Sequence, residues 1–263
     1  MTTNKSKSEK YIWLLPLFAV VLFFAGWTWY VRAYNVSRFI LPEPMAIFSA
    51  FVKLMQEPDI WGHVWITVFE TVSGFLIAIV VGVFLGAVMG KVRLLEIALK
   101  PFVIATQVVP KIALVPLFIL WFGFGPQSKI VIAAVLSFFP IFSNTMLGIK
   151  SVDRGYREVM TTFRASAWHR FRFLELPSAL PYILTGMEVG IVLAIIGAIV
   201  GEFIGANKGL GYMAVATLQK LQVDTLFGVI LLLALIGLTM YFSVVMLRRW
   251  LVPWHESAMR TYT

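Results

Sequence analysis

Long apolar runs separated by short charged segments constrain this chain more than any other feature of its sequence. Sixty per cent of its 263 residues are hydrophobic and 13% are charged, which lies outside the composition of water-soluble globular domains. An apolar stretch of about 20 residues can cross the hydrocarbon core of a bilayer as a helix. The sequence therefore predicts an all-α, polytopic membrane protein that is surrounded by the lipid bilayer.

Six apolar runs each predict a membrane-spanning helix, at about residues 12–31, 63–90, 102–124, 130–149, 182–204 and 226–247. Between the first two runs, residues 45–55 have an amphipathic pattern that is typical of a helix on the membrane surface. We expect a cytoplasmic tail, a first span, an external segment, a five-helix core and a second cytoplasmic tail, at residues 1–11, 12–31, 32–62, 63–247 and 248–263. A cleaved signal peptide is the alternative to the first span, but the run has span length and ends without a small-residue cleavage site.

The second predicted span carries a glycine at every fourth position, at Gly82, Gly86 and Gly90. Small residues at this spacing lie on one face of a helix and let a neighbouring helix approach closely. The sequence therefore predicts that this glycine face packs tightly against another helix of the protein.

The distribution of basic residues predicts which side of the membrane each segment faces. Fifteen of the 22 lysines and arginines lie in the two tails and near residues 91–100 and 150–172, which six spans place on one side. Because basic loops remain cytoplasmic, both termini are predicted to be cytoplasmic. The same rule accounts for the net charge of +9, so nucleic acid is not a predicted partner.

Few residues are arranged for catalysis. The chain has no GxxxxGK[ST] phosphate-binding loop and no cysteine, and its histidines, His63, His169 and His255, are far apart and lack metal-site spacing. The glycines of residues 205–211 follow a predicted span instead of a strand, so they match a nucleotide-binding loop only weakly. We predict no catalytic residue, no metal site and no cofactor in this chain.

Charged residues at membrane depth are informative, because burying an unpaired charge there is expensive. Four of them fall inside predicted spans, namely Glu70, Lys111, Glu188 and Glu202. Lys111 follows Pro110 in a span that also contains Pro116, and a broken helix in lipid needs cover from protein or a water-lined cavity.

Two interpretations of these charges stay open. In the first, Glu70 and Glu202 lie near the outer interface and Glu188 lies near the inner end of its span. In the second, all four residues and the two prolines belong to a translocation pathway, in which Lys111 pairs with Glu70 or Glu188.

Residues 151–181 separate two spans and contain five arginines. Their first half predicts an amphipathic helix, because Tyr156, Val159, Met160 and Phe163 fall at i, i+3, i+4 and i+7. Ser166 is suited to cap a second helix, which we expect to end before Pro177. These residues are either an ordinary basic loop or a helical hairpin whose apolar face docks on a soluble partner.

The hairpin resembles the EAA loop of ABC-importer permeases, which fits into a cleft on a separate ATPase. The resemblance rests on Glu158, Ala165-Ser166, Leu176-Pro177 and Ala179-Leu180-Pro181. Val159 and Met160 stand in place of the family's two alanines, and Arg164 stands in place of its glycine. If residue 164 takes a positive φ, arginine costs about 1 kcal/mol at that position.

Residues from about 40 to 220 resemble the nitrate, taurine and aliphatic-sulfonate branch of these permeases. The matching motifs are Leu41-Pro42 with Pro44, Pro110 to Pro116-Leu117, Trp121 to Gly125 with Ser128-Lys129, Phe139-Pro140, and Gly201 to Ala206 with Gly209 to Gly211. The branch also includes importers of thiamine-precursor pyrimidines and of riboflavin. The substrate implied is therefore a small anion, such as nitrate, a sulfonate or taurine, or one of these heterocycles.

The resemblance implies a six-span permease of the type I ABC-importer fold in the bacterial inner membrane. Its implied partners are a second permease copy in a homodimer, two ATP-binding ABC subunits and an extracytoplasmic solute-binding protein. ATP and Mg would be bound by the ATPase subunits. The residues implied to couple the permease to the ATPase are Tyr156, Glu158, Val159, Met160, Phe163, Arg164, Ala165, Ser166 and Trp168.

Two other classes of function were weighed against this one. An ion-coupled secondary transporter would need paired carboxylates at mid-membrane and internal repeats, neither of which is clear in this sequence. A membrane-embedded enzyme would need a nucleophile, base or metal set at one depth, and the sequence gives no such set.

Overall fold

The computed structural model describes residues 14–253, which fold almost entirely into helices. In chain order these are α1 (Leu14–Ala33), α2 (Pro44–Gln56), α3 (Ile60–Lys91), α4 (Arg93–Val108), α5 (Val115–Phe122), α6 (Pro126–Lys150), α7 (Arg154–Thr162), α8 (Ala167–Arg170), α9 (Leu176–Gly205), α10 (Leu210–Gln219) and α11 (Val223–Leu251). A 3-10 turn at Lys111–Leu114 precedes α5, and a π-helical turn at Phe171–Glu175 joins α8 to α9.

Five helices among the described residues are long and apolar enough to cross a membrane: α1, α3, α6, α11 and the continuous helix Ala167–Gly205 formed by α8, the π turn and α9. The helices on either side of Pro110 pass the same test only as a pair, and they are bent by 81°. The protein is therefore an all-α, multi-pass membrane protein with five spans, or six when the bent pair counts as one.

The described residues form two compact units, and the first contains residues 14–60 with Ala214–Leu232. The predicted amphipathic helix at residues 45–55 is confirmed as α2, where Pro44 occupies the first turn and has no N–H that needs a partner. Arg32 forms a 2.8 Å ion pair with Glu43. This hydrogen bond holds the pKa of Glu43 below its usual value, so the pair persists at neutral pH.

The second unit contains Trp61–Met213 and residues 233–253, and its centre is the packing of α6 against α9 and α3. The prediction that the glycine face of α3 packs tightly is confirmed. A Cβ atom at Gly86 would lie 2.7 Å from Thr145 Cβ, and one at Gly90 would lie 2.9 Å from Ile149 Cβ. Both contacts are shorter than van der Waals packing allows, so only glycine lets α3 lie this close to α6.

The basic residues near 91–100 lie at and just after a short break between two helices. Val92 alone separates α3 from α4, and the basic residues Arg93 and Lys100 belong to the helix. The reason is the pattern of α4, in which apolar residues alternate with charges at helical spacing, so the segment is amphipathic instead of irregular.

Two prolines do not act as the breaks that we expected. Pro116 is the second residue of α5, and the break lies at Pro110. Pro177 is the second residue of α9 and does not end the preceding helix, which continues into α9 through the π turn. Proline is tolerated in a first helical turn, and the π turn shifts the hydrogen-bond register immediately before Pro177.

Candidate functional site

The segment between α6 and α9 forms a helical hairpin, defined here as residues 151–181. Asp153 begins α7 by accepting a 2.7 Å hydrogen bond from Gly155 N–H. At the other end of α7, Arg164 N–H donates to Thr161 O (2.9 Å) and Ala165 N–H donates to Met160 O (2.9 Å). These two bonds form a Schellman motif, which ends the helix and turns the chain toward α8.

Arg164 has a φ of +51°, in the left-handed region that the Schellman motif requires. Glycine adopts this conformation without penalty, whereas arginine costs about 1 kcal/mol. Arg164, which stands in place of the glycine of the EAA pattern, therefore carries the backbone strain of this turn. Ser166 caps α8 as expected, because its side chain accepts from His169 N–H at 3.3 Å.

The hairpin exposes large apolar side chains. Phe163 is 81% exposed, and Tyr156, Val159, Trp168 and Phe173 are also exposed, whereas Met160 is half-buried. The exposed group is called the apolar face below. Burying such a surface against a partner is favourable by roughly 25 cal/mol for each Å². Exposure of this apolar surface to water does not stabilise the hairpin, so the face is suited to contact another protein.

Polar contacts fasten the hairpin to the ends of the long helices. Arg157 donates a 2.8 Å hydrogen bond to Ile149 O in the last turn of α6. Lys91, the last residue of α3, forms a 2.6 Å ion pair with Glu175 and lies 4.1 Å from the ring centroid of Phe171. These contacts join the hairpin to α3 and α6, and its last residues, from Leu176 on, are the start of α9.

A largely apolar cavity of about 530 Å³ lies between α3, α6 and the bent α4–α5 pair. Lys111, at the bend, lines it, and its ammonium group is 4.4 Å from the ring centroid of Phe139. The face of an aromatic ring attracts the ammonium group of a lysine, so the charge is stabilised without a carboxylate partner. The cavity thus offers one cation in apolar surroundings, next to the break at Pro110.

The predicted pairing of Lys111 with Glu70 or Glu188 is wrong. Glu188 instead pairs with Arg248 near the end of α11, at 3.1 Å between Oε1 and Nε. Glu70 is buried beside Glu202. The partner of Glu188 lies on a helix that is distant in sequence, which the hydropathy pattern alone could not identify.

Lys129 is the residue that sequence reasoning missed. It lies in the first turn of α6, is only 1% exposed, and donates hydrogen bonds to Phe124 O (2.7 Å), Gly125 O (3.2 Å) and Gly205 O. Its position inside the first turn of an apolar helix was the available signal of burial.

Glu202 provides the opposite charge and is also 1% exposed. One of its carboxyl oxygens accepts from Thr67 Oγ1 at 2.6 Å, and the other accepts from Gly211 N–H at 2.5 Å. Thr67 Oγ1 in turn accepts from Leu210 N–H at 2.8 Å. These bonds tie α3 to α9 and to the first residues of α10.

Lys129, Glu202, Glu70 and Thr67 are called the buried polar cluster below. Electrostatic interactions connect the Glu70 and Glu202 carboxyl groups with each other and with Lys129, and within residues 14–253 the buried Oε2 of Glu70 has no hydrogen-bond partner. Charges buried in a membrane protein persist only when they are compensated in this way. The cluster therefore fixes three helices, α3, α6 and α9, at one level.

Two glycines of residues 205–211 pack against the Glu202 carboxyl group of this cluster. Their presence is therefore explained without a nucleotide-binding loop. Gly209 has a φ of +109°, and a Cβ atom there would overlap the Glu202 carboxyl group. A Cβ atom at Gly211 would lie 2.7 Å from Glu202 Oε2. Gly209 N–H also donates a 3.0 Å hydrogen bond to Nδ1 of His63 in α3, which holds the turn against that helix.

The described residues hold no group of three or more His, Asp or Glu side chains that could bind a metal ion. His169 is hydrogen-bonded to Ser166 at 2.9 Å, and His255 lies outside the described residues. What residues 14–253 present is a fastened hairpin, an apolar cavity with one cation and a buried polar cluster.

The fold belongs to a known class of membrane protein. The MetNI methionine ABC transporter, in inward-facing conformations, contains a chain that superposes with a TM-score of 0.64 at 20% sequence identity. The match covers 74% of this chain and 99% of that one. At this identity the likeness concerns the fold alone, which is shared with a chain of that transporter.

Residues 78–256 match the family of binding-protein-dependent transport system inner membrane components, and the chain belongs to that family. It is 35% identical to a formylaminopyrimidine transport permease protein of Halalkalibacterium halodurans, over 87% of this chain and 91% of the relative. It is also 35% identical to a riboflavin transport system permease protein of Chloroflexus aurantiacus (92% and 90%) and 26% identical to a taurine transport system permease protein of Escherichia coli (97% and 98%).

Replacing Glu202 with glutamine tests the buried polar cluster. The Glu202 carboxylate accepts from Thr67 Oγ1 and from Gly211 N–H, so an amide in its place leaves one of these buried donors without an acceptor, at a cost of about 1–3 kcal/mol. We expect Glu202→Gln to lower the thermal unfolding midpoint of the purified protein markedly, and the double variant Glu202→Gln with Lys129→Met to recover part of the loss. The exposed Glu57→Gln serves as the control and should leave the midpoint unchanged. Additive losses in the double variant would contradict the coupling of these two residues.

Proposed function

We propose that this chain is the membrane-spanning permease subunit of an ATP-driven importer in the bacterial inner membrane. The observation that carries the proposal is the apolar face of the hairpin, which is exposed while polar contacts join the hairpin itself to α3 and α6. In the proposed complex this face docks on an ATP-binding ABC subunit, which holds ATP and Mg. Two such subunits, a second copy of this permease and an extracytoplasmic solute-binding protein complete the importer.

The proposed mechanism is a shift of population between two conformations of the spans. Closure of the ATPase dimer draws the two hairpins together and favours the outward-facing state, since a ligand shifts an equilibrium by its differential affinity for the two states. The residues that contact the ATPase in this proposal are Tyr156, Glu158, Val159, Met160, Phe163, Arg164, Ala165, Ser166 and Trp168. The termini and the hairpin are cytoplasmic in this arrangement, in agreement with the distribution of lysine and arginine.

Phe163 provides the sharpest test of ATPase docking, because it is the most exposed of the apolar hairpin side chains. Phe163→Asp buries a carboxylate in the proposed interface, so we expect at least a ten-fold loss of permease-coupled ATPase activity. The measurements are co-purification of the ATPase with the tagged permease and the ATP hydrolysis rate of the complex. The variant should still insert into the membrane at the normal level.

The matched control is Phe39→Asp, at an exposed phenylalanine between α1 and α2. This substitution adds the same charge in the segment that we predict to be external, and it should leave ATPase coupling unchanged. Normal coupling in Phe163→Asp would refute the docking surface. A loss that is equal in both variants would also refute it, because the effect would then not depend on the hairpin.

The solute is proposed to be a small anion, such as nitrate, a sulfonate or taurine, or a heterocycle of the thiamine-precursor pyrimidine or riboflavin type. The names of the relatives support this range, since they transport formylaminopyrimidine, riboflavin and taurine. Lys111 supplies a cation in the apolar cavity beside Pro110, and we place both on the translocation pathway. Pro116 positions the short helix α5 at the bend.

The remaining pathway candidates, Glu70, Glu188 and Glu202, do not line the cavity and are engaged in contacts between helices. We propose that they position the helices around the pathway. In this proposal their charges stabilise the arrangement of the spans, and Lys111 is the charged residue that contacts the solute.

Lys111→Met retains the length of the side chain and removes its charge, so it separates a pathway role from a packing role. We expect uptake of the transported solute to fall at least ten-fold while the amount of assembled complex stays normal. Uptake is measured with labelled taurine, an alkanesulfonate, riboflavin and an aminopyrimidine, using whichever the unmodified importer accumulates. Lys53→Met, at an exposed lysine of α2, is the control. Unchanged uptake in Lys111→Met would remove this residue from the pathway.

A further inference from the structure

A second charged site lies at the end of the spans next to the hairpin, and neither the coupling mechanism nor the solute pathway uses it. A pocket of about 470 Å³ is lined by Lys91, Arg93, Lys100 and Lys150, together with Glu96 and Ile97. The four cations come from the end of α3, from α4 and from the end of α6. Three helices therefore bring positive charge to one place at one edge of the membrane.

The face of α4 that meets this pocket is built by helical spacing. Arg93, Glu96, Ile97 and Lys100 stand at i, i+3, i+4 and i+7, so their side chains share one side of the helix. The single-residue break at Val92 places this face next to the last turn of α3. The position of these four side chains on one side of α4 follows from their spacing in the sequence and does not require another protein.

The charges of the pocket do not cancel. Glu96 is paired with Lys150, and Glu175, from the hairpin, is paired with Lys91 at 2.6 Å. Within residues 14–253, Arg93 and Lys100 make no ion pair of their own, although both act electrostatically on Glu96. Four cations and two carboxylates leave the pocket with two uncompensated positive charges, which is the condition for binding an anion.

Exposed apolar side chains continue from the mouth of the pocket along α4. Leu94 is 76% exposed and Ile97 is 63% exposed, and Phe102 follows within one further turn of Lys100. A free inorganic anion would gain nothing from these side chains. A molecule with a phosphate group at one end and hydrocarbon chains at the other matches both features.

We infer that this pocket binds the phosphate-bearing headgroup of an anionic phospholipid, with Arg93 and Lys100 contacting the phosphate and the acyl chains lying along Leu94 and Ile97. The site adjoins Lys91, which also pairs with Glu175 of the hairpin. A bound lipid would therefore sit where α3, α4, α6 and the hairpin meet. The inference does not require the proposed importer function, because it rests only on the pocket and the membrane edge.

Native mass spectrometry of the full-length protein, released from detergent micelles, tests the inference. The probes are phosphatidylglycerol, phosphatidylcholine and inorganic phosphate. We expect retained phosphatidylglycerol adducts, few phosphatidylcholine adducts, and no displacement of phosphatidylglycerol by millimolar inorganic phosphate. Displacement by inorganic phosphate would overturn the assignment to a lipid, since the site would then recognise a soluble anion.

Two sets of variants locate the binding in the pocket. Arg93→Gln with Lys100→Gln should weaken phosphatidylglycerol binding about ten-fold or more, because each basic residue near an anionic headgroup contributes to attraction. The control, Arg38→Gln with Lys53→Gln, removes the same charges from exposed positions elsewhere and should bind like the unmodified protein. Glu96→Gln removes the one carboxylate that lines the pocket and should strengthen binding, whereas a folding defect would weaken it. Equal binding in all variants would overturn the inference.

Discussion

The packing of α9 against α6 is the interaction on which the rest of the second unit depends. Small residues let the two helices approach so closely that a Cβ atom at Gly186 would lie 2.7 Å from Pro140 O, and one at Gly197 would lie 2.9 Å from Ala133 Cα. In a membrane, where lipid is as apolar as the side chains, such close contact is a main source of helix association. The hairpin connects these two helices directly, so it is attached at both ends to the most tightly packed pair.

This packing relates the hairpin to the buried polar cluster. The helix Ala167–Gly205 runs without interruption for 39 residues, with the capped turn of the hairpin at one end and Glu202 near the other. At 1.5 Å per residue it is about 58 Å long. One continuous helix therefore joins the hairpin to Glu202 and to the buried polar cluster at the other end of the spans.

Patterns within short stretches of sequence predicted individual helices and turns. Hydropathy gave the positions of the long helices, the i, i+3, i+4 pattern gave α7, and the four-residue glycine spacing gave the tight face of α3. The Arg164 strain was likewise predictable, because a Schellman turn requires a positive φ at one residue. Pairings between helices were not predictable in this way. Lys129, Glu202 and Thr67 come from three helices, and nothing near each residue in sequence specifies the others.

The wrong expectations have the same origin. Pro177 and Pro116 were treated as breaks because proline disrupts a helix interior, yet each occupies a first turn that only the surrounding structure defines. Lys111 was expected to need a carboxylate, but an aromatic ring and an apolar cavity surround it instead. The rules for proline and for buried lysine hold in general. Their outcome at these three residues depended on neighbouring groups in the fold, which the sequence pattern does not identify.

The account depends most on the hairpin facing the cytoplasm and being covered by an ATPase subunit, and cysteine labelling measures both. The chain has no cysteine, so Val159→Cys introduces a single thiol on the apolar face. The account predicts that a membrane-impermeant maleimide labels it in inside-out vesicles and not in intact spheroplasts, and that coexpressed ATPase slows the labelling strongly. Labelling in intact spheroplasts, or an unchanged rate with the ATPase present, would contradict it and would favour an ion-coupled transporter without an ATPase.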